Sequence, residues 1–174
     1  MRITGEKIVL RSFRKEDLSI IYQWHNSEEL RHDLIVHPFP VTINVEDLWL
    51  NRVLNDTSNK NIYFAIEEKD NKQIVGYLSL TKINWVNRNC YFGIVIGDKA
   101  MQGRGMGKEA TKCVLNYTFN NLGLKKILLE VLATNNSAIA LYKKLGFEEE
   151  GRLKNQFFSK GKYHDIIIMS VFNK

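Results

Sequence analysis

Gln102-Gly103-Arg104-Gly105-Met106-Gly107 is the stretch that decides the fold, because a strongly amphipathic segment follows it at once. Apolar residues recur there at helical spacing, at Ala110, Val114 and Tyr117, which predicts a helix with one packed face. Glycines allow consecutive backbone N–H groups to turn inward. The helix behind them adds its unpaired N–H groups and the positive end of its dipole. The stretch therefore predicts an anion site suited to a phosphate or pyrophosphate.

Other phosphate-binding motifs fit this stretch less well. A dinucleotide-binding fingerprint has the spacing GxGxxG in a first strand–helix unit, whereas these glycines are spaced GxGxG late in the chain. A Walker loop ends in Gly-Lys followed by Ser or Thr, whereas Gly107-Lys108 is followed by Glu109. An ordinary glycine-rich strand–helix turn is the remaining alternative. As an anion site, the turn would gain mobile positive charge from Arg104 and Lys108.

The rest of the chain predicts an α+β domain around that unit. Before the glycine turn, short apolar runs separated by turn residues predict an antiparallel meander. After it, the crossover helix is expected to join a parallel pair of strands. Residues 25–40 show no periodicity and are predicted as loop. Predicted strands cover 8–11, 62–67, 73–83, 91–96, 126–132, 147–157 and 163–172, and predicted helices cover 16–24, a segment from about 45, the segment after 107, and 137–145.

A second motif lies further along, Asn135-Asn136-Ser137-Ala138-Ile139-Ala140-Leu141-Tyr142-Lys143-Lys144-Leu145-Gly146-Phe147. Together with Gln102-x-x-Gly105-x-Gly107, in order and spacing, it resembles the GNAT superfamily of N-acetyltransferases. Residues 10–18 look like the usual opening of the family, and residues 161–165 with Met169 look like its close. The branch that the chain resembles holds ribosomal-protein N-terminal, spermidine and some amino-sugar acetyltransferases.

The resemblance implies the GNAT fold over a single domain, residues 1–174. In that fold a mixed, mostly antiparallel sheet of about six to seven strands splays at one parallel pair and is flanked by about four helices. It also implies acetyl-CoA as co-substrate and a primary amine as acceptor, whether a polyamine, an amino sugar or a protein N-terminus.

The resemblance assigns a cofactor role to two groups of residues. The backbone from Gln102 to Gly107 would hold the CoA pyrophosphate, and Asn135 would hydrogen-bond the pantetheine arm. Lys143 or Lys144 would reach the 3′-phosphate, although a solvated helix face explains them as well. Strand residues that would pair with the pantetheine amides are Ile94, Val95 and Ile96.

Acetyl transfer needs a neutral amine, a stabilised oxyanion and a proton for the departing thiolate. By the resemblance, Tyr142 lies beside the CoA sulfur and supplies that proton, because a phenol is an acid of suitable strength. A backbone N–H of the splayed strand is the oxyanion donor. The alternative for Tyr142 is a packing aromatic at the end of a helix.

The general base is not decided by the sequence. Several relatives place a carboxylate on the strand before the glycine turn, whereas residues 89–93 read Asn-Cys-Tyr-Phe-Gly. Glu130 on the next strand is one substitute, and it is also explained as a solvent-facing residue. The histidines His32, His37 and His164 are others, since neutral imidazole is available near pH 7. A water relay fits equally well.

The acceptor pocket is expected to come from the loops. Trp24 and Trp85 are candidates that are also explained as core aromatics. Acidic residues in the first loop, such as Glu28, Glu29 and Asp33, would attract a cationic amine or cover a solvated helix end. The remaining candidates are His25, Arg31 and His164.

Composition excludes several other classes of protein. Apolar residues make up 44% of the chain and charged residues 25%, as in globular domains. No segment approaches the roughly 20 apolar residues of a membrane helix, and residues 1–7 lack the core of a secretion signal, so we expect a soluble cytoplasmic protein without a membrane partner.

Cysteine spacing and charge narrow the choice further. Cys90 and Cys113 lack metal-ligand spacing, so we expect reduced thiols and no metal. The net charge of +6 is spread along the chain, which favours one local anion site over a nucleic-acid face. We therefore predict an acetyl-CoA-dependent N-acetyltransferase, with a non-catalytic acyl-CoA-binding module as the alternative. A homodimer is compatible with the sequence, which does not decide the oligomeric state.

Overall fold

The computed structural model describes residues 1–31, 34–36 and 38–173. Within them eight strands form one sheet, and they are β1 (Arg2–Thr4), β2 (Ile8–Arg11), β3 (Ile62–Glu68), β4 (Ile74–Asn84), β5 (Asn89–Ile96), β6 (Lys126–Leu132), β7 (Glu148–Ser159) and β8 (Lys162–Phe172). Their order across the sheet is β1-β2-β3-β4-β5-β6-β8-β7. Neighbouring strands are antiparallel except β5 and β6, which are parallel.

The helices cover both faces of this sheet. Short 3-10 turns at Lys15–Asp17 and Lys99–Met101 precede a helix and the glycine turn respectively. The α-helices of the described residues are α1 (Leu18–Asn26), α2 (Glu28–Arg31), α3 (Ile43–Leu54), α4 (Met106–Asn120) and α5 (Asn136–Lys144). The predicted α+β class, the antiparallel meander and the parallel pair are therefore confirmed.

Two elements were not predicted from the sequence, and a third begins earlier than predicted. The sheet has eight strands because Arg2–Thr4 pairs antiparallel with β2, and a strand of three residues is too short to show a period. The helix Glu28–Arg31 lies where a loop was predicted, and four residues make scarcely one turn, so no helical period develops. The helix expected from about Val45 begins at Ile43, because the Thr42 hydroxyl accepts a hydrogen bond from the Val45 backbone N–H and caps it.

Two apolar clusters hold the helices on the sheet. On one face α4 buries Met106, Ala110 and Val114, which confirms the face predicted from their spacing. On the other face α1 and α3 bury Ile21 and Leu50 in a smaller, aromatic-rich cluster. This second cluster determines where the side chains of α1 and α3 meet β4.

The parallel pair separates after only three residue positions. The paired positions begin with Asn89 opposite Lys126 and end with Tyr91 opposite Leu128. Beyond them β5 continues to Ile96 and β6 to Leu132. Backbone groups on the facing edges beyond that point lack a partner strand, and such groups need another hydrogen-bond partner. The sheet therefore opens between β5 and β6, as the splayed pair was predicted to do.

Candidate active site

A cleft of about 1490 Å³ lies where β5 and β6 separate. Its walls come from β5 between Tyr91 and Ile96 and from β6 between Glu130 and Leu132. The glycine turn and α5 close its two ends. A cleft of the described residues thus lies at the split of the parallel pair, which is the predicted position.

The glycine turn is open towards the cleft. Gly103 and Gly105 have φ of +75° and +87°, a left-handed conformation that glycine adopts without steric cost. A Cβ on either would meet no heavy atom of the described residues within 4 Å. Gly105 is the N-cap of α4, so the unpaired N–H groups of that helix begin at the turn. The Gln102 amide holds the turn by donating to the Ile96 carbonyl at 2.9 Å.

The positive charges around the turn are divided between two cavities. Lys108 and Lys144 line the main cleft. Arg104 lines a separate cavity of about 440 Å³ together with Lys7. Met106 is 3% exposed and belongs to the core. Of the residues predicted around the turn, the side chains of Arg104 and Met106 therefore lie outside the cleft.

Tyr142 lies at the α5 end of the cleft. It lines the cleft and is 8% exposed, with its ring against Phe92 and Phe147. Burial raises the pKa of its phenol to about 12, so the hydroxyl carries its proton at neutral pH. Asn135 caps the same helix through its side-chain oxygen, which accepts from the Ala138 backbone N–H at 3.1 Å.

One face of β4 and β5 forms a polar wall of the cleft. The two strands pair so that alternate residues of each point to this face. Gly93 has no side chain and so leaves a gap there. A Cβ on it would fill this gap and lie 3.4 Å from the Ser79 hydroxyl. We call this wall the acceptor face, and its members are Tyr77, Ser79 and Thr81 from β4 with Tyr91, Gly93 and Val95 from β5.

Three side chains from three elements form a hydrogen-bonded chain behind the acceptor face. Nε2 of His25 lies 2.7 Å from the Tyr77 hydroxyl, and Nδ1 lies 2.7 Å from Oε2 of Glu46. Glu46 is 2% exposed. Sequence reasoning missed Tyr77 and Glu46. The polar and apolar alternation of Tyr77-Leu78-Ser79-Leu80-Thr81 was a usable signal for the first, whereas nothing in the sequence signals the second.

The charged side chains of the cleft are mixed in sign. Glu130 is exposed on β6 and lines the cleft. The Lys82 ammonium lies 4.8 Å from the centre of the Tyr91 ring, a cation–π geometry. Glu29 and Lys99 form an ion pair at the rim. The strand before the glycine turn therefore has no acid from Asn89 to Gly93, and its Tyr91 ring lies under a lysine.

Of the predicted substrate residues, Trp24 lines the cleft and His25 contacts its wall through Tyr77. The structure places three others outside the lining. Arg31 donates to the Phe39 carbonyl, the Trp85 indole donates to the Asn59 carbonyl, and His164 pairs with Phe157 on the two last strands. His32, Asp33 and His37 lie outside the described residues.

No group of three or more His, Cys, Asp or Glu side chains with metal-ligand geometry occurs within 1–31, 34–36 and 38–173. Over the same residues, every helix is too short or too polar to cross a bilayer.

The structure thus combines a sheet that is split at one parallel pair with a cleft lined by a glycine turn before a helix N-terminus and by a buried phenol. The chain belongs to the GNAT acetyltransferases, because the family described as "Acetyltransferase (GNAT) domain" matches residues 7–148. It is an acetyl-CoA-dependent N-acetyltransferase. The family membership decides for an enzyme over the non-catalytic module.

Of three similar proteins, two cover nearly the whole chain. Spermidine N(1)-acetyltransferase of Escherichia coli (strain K12) is 32% identical over 97% of this chain and 88% of its own length. The uS5-alanine N-acetyltransferase of E. coli is 27% identical over 63% of this chain and 56% of its own length. The crystal structure of spermidine N-acetyltransferase from Vibrio cholerae, in complex with CoA and spermine, superposes with a TM-score of 0.88 at 29% identity, over 97% of this chain and 96% of that one.

Proposed function

We propose that the acceptor of this acetyltransferase is a polyamine. The observation that carries the proposal is the acceptor face, which opens beside the split of β5 and β6, where an amine would meet a thioester lying between the strands. The exposed carboxylate of Glu130 on the cleft wall would attract a multiply charged amine. Two relatives, from E. coli and V. cholerae, are spermidine acetyltransferases.

We assign the cofactor as follows. The backbone from Gln102 to Gly107, with Lys108, holds the pyrophosphate, since helix N-termini bind anions. The open edge of Ile94–Ile96 pairs with the pantetheine amides, and Asn135 lies beside the arm. Residues 1–174 act as one catalytic domain, which is supported by a sheet that draws strands from both ends of the chain.

The same assignment places the chemistry. The neutral amine attacks the thioester carbonyl, and a backbone N–H of β5 stabilises the oxyanion. The C–S bond breaks, and the Tyr142 hydroxyl gives its proton to the thiolate. The phenoxide recovers a proton from the new amide nitrogen. Support for this role comes from the position of Tyr142 in the cleft and from its protonated state.

Gly105→Ala is expected to weaken CoA binding about tenfold. A residue with a Cβ at φ of +87° costs roughly 1–2 kcal/mol, and relief of that strain turns the N–H groups of the turn away from the pyrophosphate. Calorimetric titration with CoA measures the effect. The matched control is Gly151→Ala on β7, where the new Cβ meets no neighbour. Equal CoA affinities of the two variants would contradict the assignment of the turn.

An amine panel tests the acceptor. Thiol release from acetyl-CoA is followed with spermidine, spermine, glucosamine and a peptide with a free N-terminal alanine. We expect kcat/KM for the polyamines to exceed the others by about tenfold or more, since each additional charge-assisted hydrogen bond contributes about 1.5–3 kcal/mol. A higher kcat/KM with the sugar or the peptide would refute the polyamine assignment and leave the acetyltransferase class intact.

A further inference from the structure

The hydrogen bonds that link Tyr77, His25 and Glu46 have a definite direction of donation. A carboxylate only accepts hydrogen bonds, so Nδ1 of His25 must carry a proton and donate it to Oε2 of Glu46 at 2.7 Å. In the neutral ring, Nε2 then holds the lone pair and accepts from the Tyr77 hydroxyl at 2.7 Å. Protons along this chain can therefore move from Tyr77 towards His25.

This series of hydrogen bonds begins at the cleft and ends in the core. Tyr77 lines the cleft two residues before Ser79, which faces the gap at Gly93. Behind it, the His25 ring lies edge-on to Trp49 at 5.5 Å. The His25 side chain is 25% exposed, so a proton that reaches the imidazole has a route to solvent. Among the described residues, the titratable groups that hydrogen-bond the His25 ring are Glu46 from α3 and Tyr77 from β4.

Glu46 lies where it can hold an imidazolium that forms at His25. Its side chain is 2% exposed, and its second oxygen, Oε1, has no hydrogen-bond partner among the described residues. A buried charge needs an opposite charge or hydrogen bonds beside it. When His25 takes up a proton from Tyr77, the carboxylate at 2.7 Å is the partner of the new positive charge.

We propose that Tyr77, His25 and Glu46 form a proton relay that deprotonates the acceptor amine. The proposal rests on the acetyltransferase activity and not on the polyamine as acceptor. The acceptor ammonium donates one proton to the Tyr77 oxygen while the Tyr77 hydroxyl proton passes to Nε2 of His25. This leaves a neutral amine and an imidazolium held by Glu46. The amine attacks the thioester, and His25 later releases its proton to solvent, which accounts for the single proton that the net reaction produces.

The relay supplies the base that the strand before the glycine turn lacks. Glu130 is the competing carboxylate, but it is exposed, whereas His25 is hydrogen-bonded on both sides, to Glu46 and to Tyr77. Tyr77 is the group that touches the substrate, and His25 and Glu46 act through it. A purely structural role, in which the three residues tie α1 and α3 to the sheet, is the alternative that an experiment must separate.

The pH profile of kcat/KM separates the two roles. Tyr77→Phe and Glu46→Gln keep the shapes of the side chains, and the glutamine amide reverses the direction of the hydrogen bonds by donating to Nδ1. For each variant we expect a loss of about 10²-fold near pH 7, the low end for general base catalysis. The loss should shrink towards about pH 10, where the amine becomes neutral without help. A loss that is the same at every pH would overturn the relay.

Two controls complete the test. Tyr63→Phe removes a hydroxyl from the same aromatic cluster, where the Tyr63 ring contacts Trp49, and should leave kcat/KM and its pH profile unchanged. Thermal unfolding of every variant shows whether the cluster still packs. The assay uses whichever amine of the panel reacts fastest, so failure of the polyamine assignment and failure of the relay are separate results.

A second measurement does not depend on turnover. The ¹⁵N chemical shifts of the imidazole, assigned by comparison with His25→Gln, report which nitrogen carries the proton. The relay requires the neutral Nδ1–H form in the free enzyme near pH 7. A resonance pattern of the Nε2–H form, or of a ring that is already doubly protonated at the pH of the assay, would overturn the proposal.

Discussion

Tyr142→Phe is expected to lower kcat about 10³-fold while CoA affinity changes little. General acid catalysis contributes about 10²–10⁴-fold, and this variant removes the proton of the phenol but keeps the ring. The ring packs against Phe92 and Phe147, so those contacts survive. Steady-state kinetics and calorimetric titration with CoA measure the two quantities. The expectation fails if kcat stays within a few-fold of the wild-type value.

The pH dependence of Tyr142 has a definite sign. Burial raises the pKa of the phenol to about 12, above its ordinary value, so the acid form persists through the alkaline range. The stability that burial of the neutral phenol contributes is fully present below the unfolded pKa of about 10 and is lost as pH rises through about 12. At pH values under about 10, loss of this proton should therefore not lower kcat.

Tyr117→Phe is the matched control for Tyr142. Tyr117 lies on α4 with its ring against Phe64, and burial raises the pKa of its phenol as well. It is absent from the lining of the cleft formed by the described residues. A kcat equal to that of the wild type in this variant, with a large loss in Tyr142→Phe, assigns the effect to the position of the hydroxyl.

Arg11→Met is expected to lower the free energy of unfolding by about 3–5 kcal/mol, the usual cost of removing one partner from a buried ion pair. Arg11 is 4% exposed and donates to both carboxylate oxygens of Asp17 at 2.8 and 2.9 Å, and to Glu67 at 2.6 Å. Without it, the two buried carboxylates lose their buried cation, and Glu67 keeps only the exposed side chains of Arg2 at 3.3 Å and Arg14 at 3.9 Å. Equilibrium urea denaturation measures the change.

The electrostatics of Arg11 support the size of this effect. Desolvation acts to lower its pKa, but the hydrogen bonds and charges of Asp17 and Glu67 outweigh it, and the pKa of the guanidinium is raised above its ordinary value. A raised pKa means that the paired cation stabilises the fold across the neutral range, far below the pH at which a guanidinium loses its proton. The contribution is therefore present throughout the range in which the enzyme is assayed.

Arg152→Met provides the comparison. Arg152 is 45% exposed in its side chain and pairs with Asp165 at 3.4 Å, and exposed pairs contribute about 0–1 kcal/mol. A loss in Arg11→Met no larger than that in Arg152→Met would contradict the role of the buried cluster. The cluster also matters for the site, because Asp17 immediately precedes α1, the helix that carries Trp24 and His25.

Much of the fold was predictable because its signals are local. The period of Ala110, Val114 and Tyr117 predicts the face that α4 buries, and the glycines predict the turn before it. The short strand Arg2–Thr4 and the helix Glu28–Arg31 were not predicted, because elements of three or four residues form through pairing and packing with distant segments and carry no period of their own.

The sequence by itself determined the glycine turn, the helix behind it and the segment that carries Tyr142, because these depend on backbone conformation and on residues adjacent in the chain. Only the tertiary structure decided what faces the acceptor. Glu46 and Tyr77 follow His25 by 21 and 52 residues. The three side chains meet because α1, α3 and β4 pack in one aromatic cluster. The distance over which β5 and β6 stay paired was decided in the same way, since strand pairing is a property of two segments and not of either one.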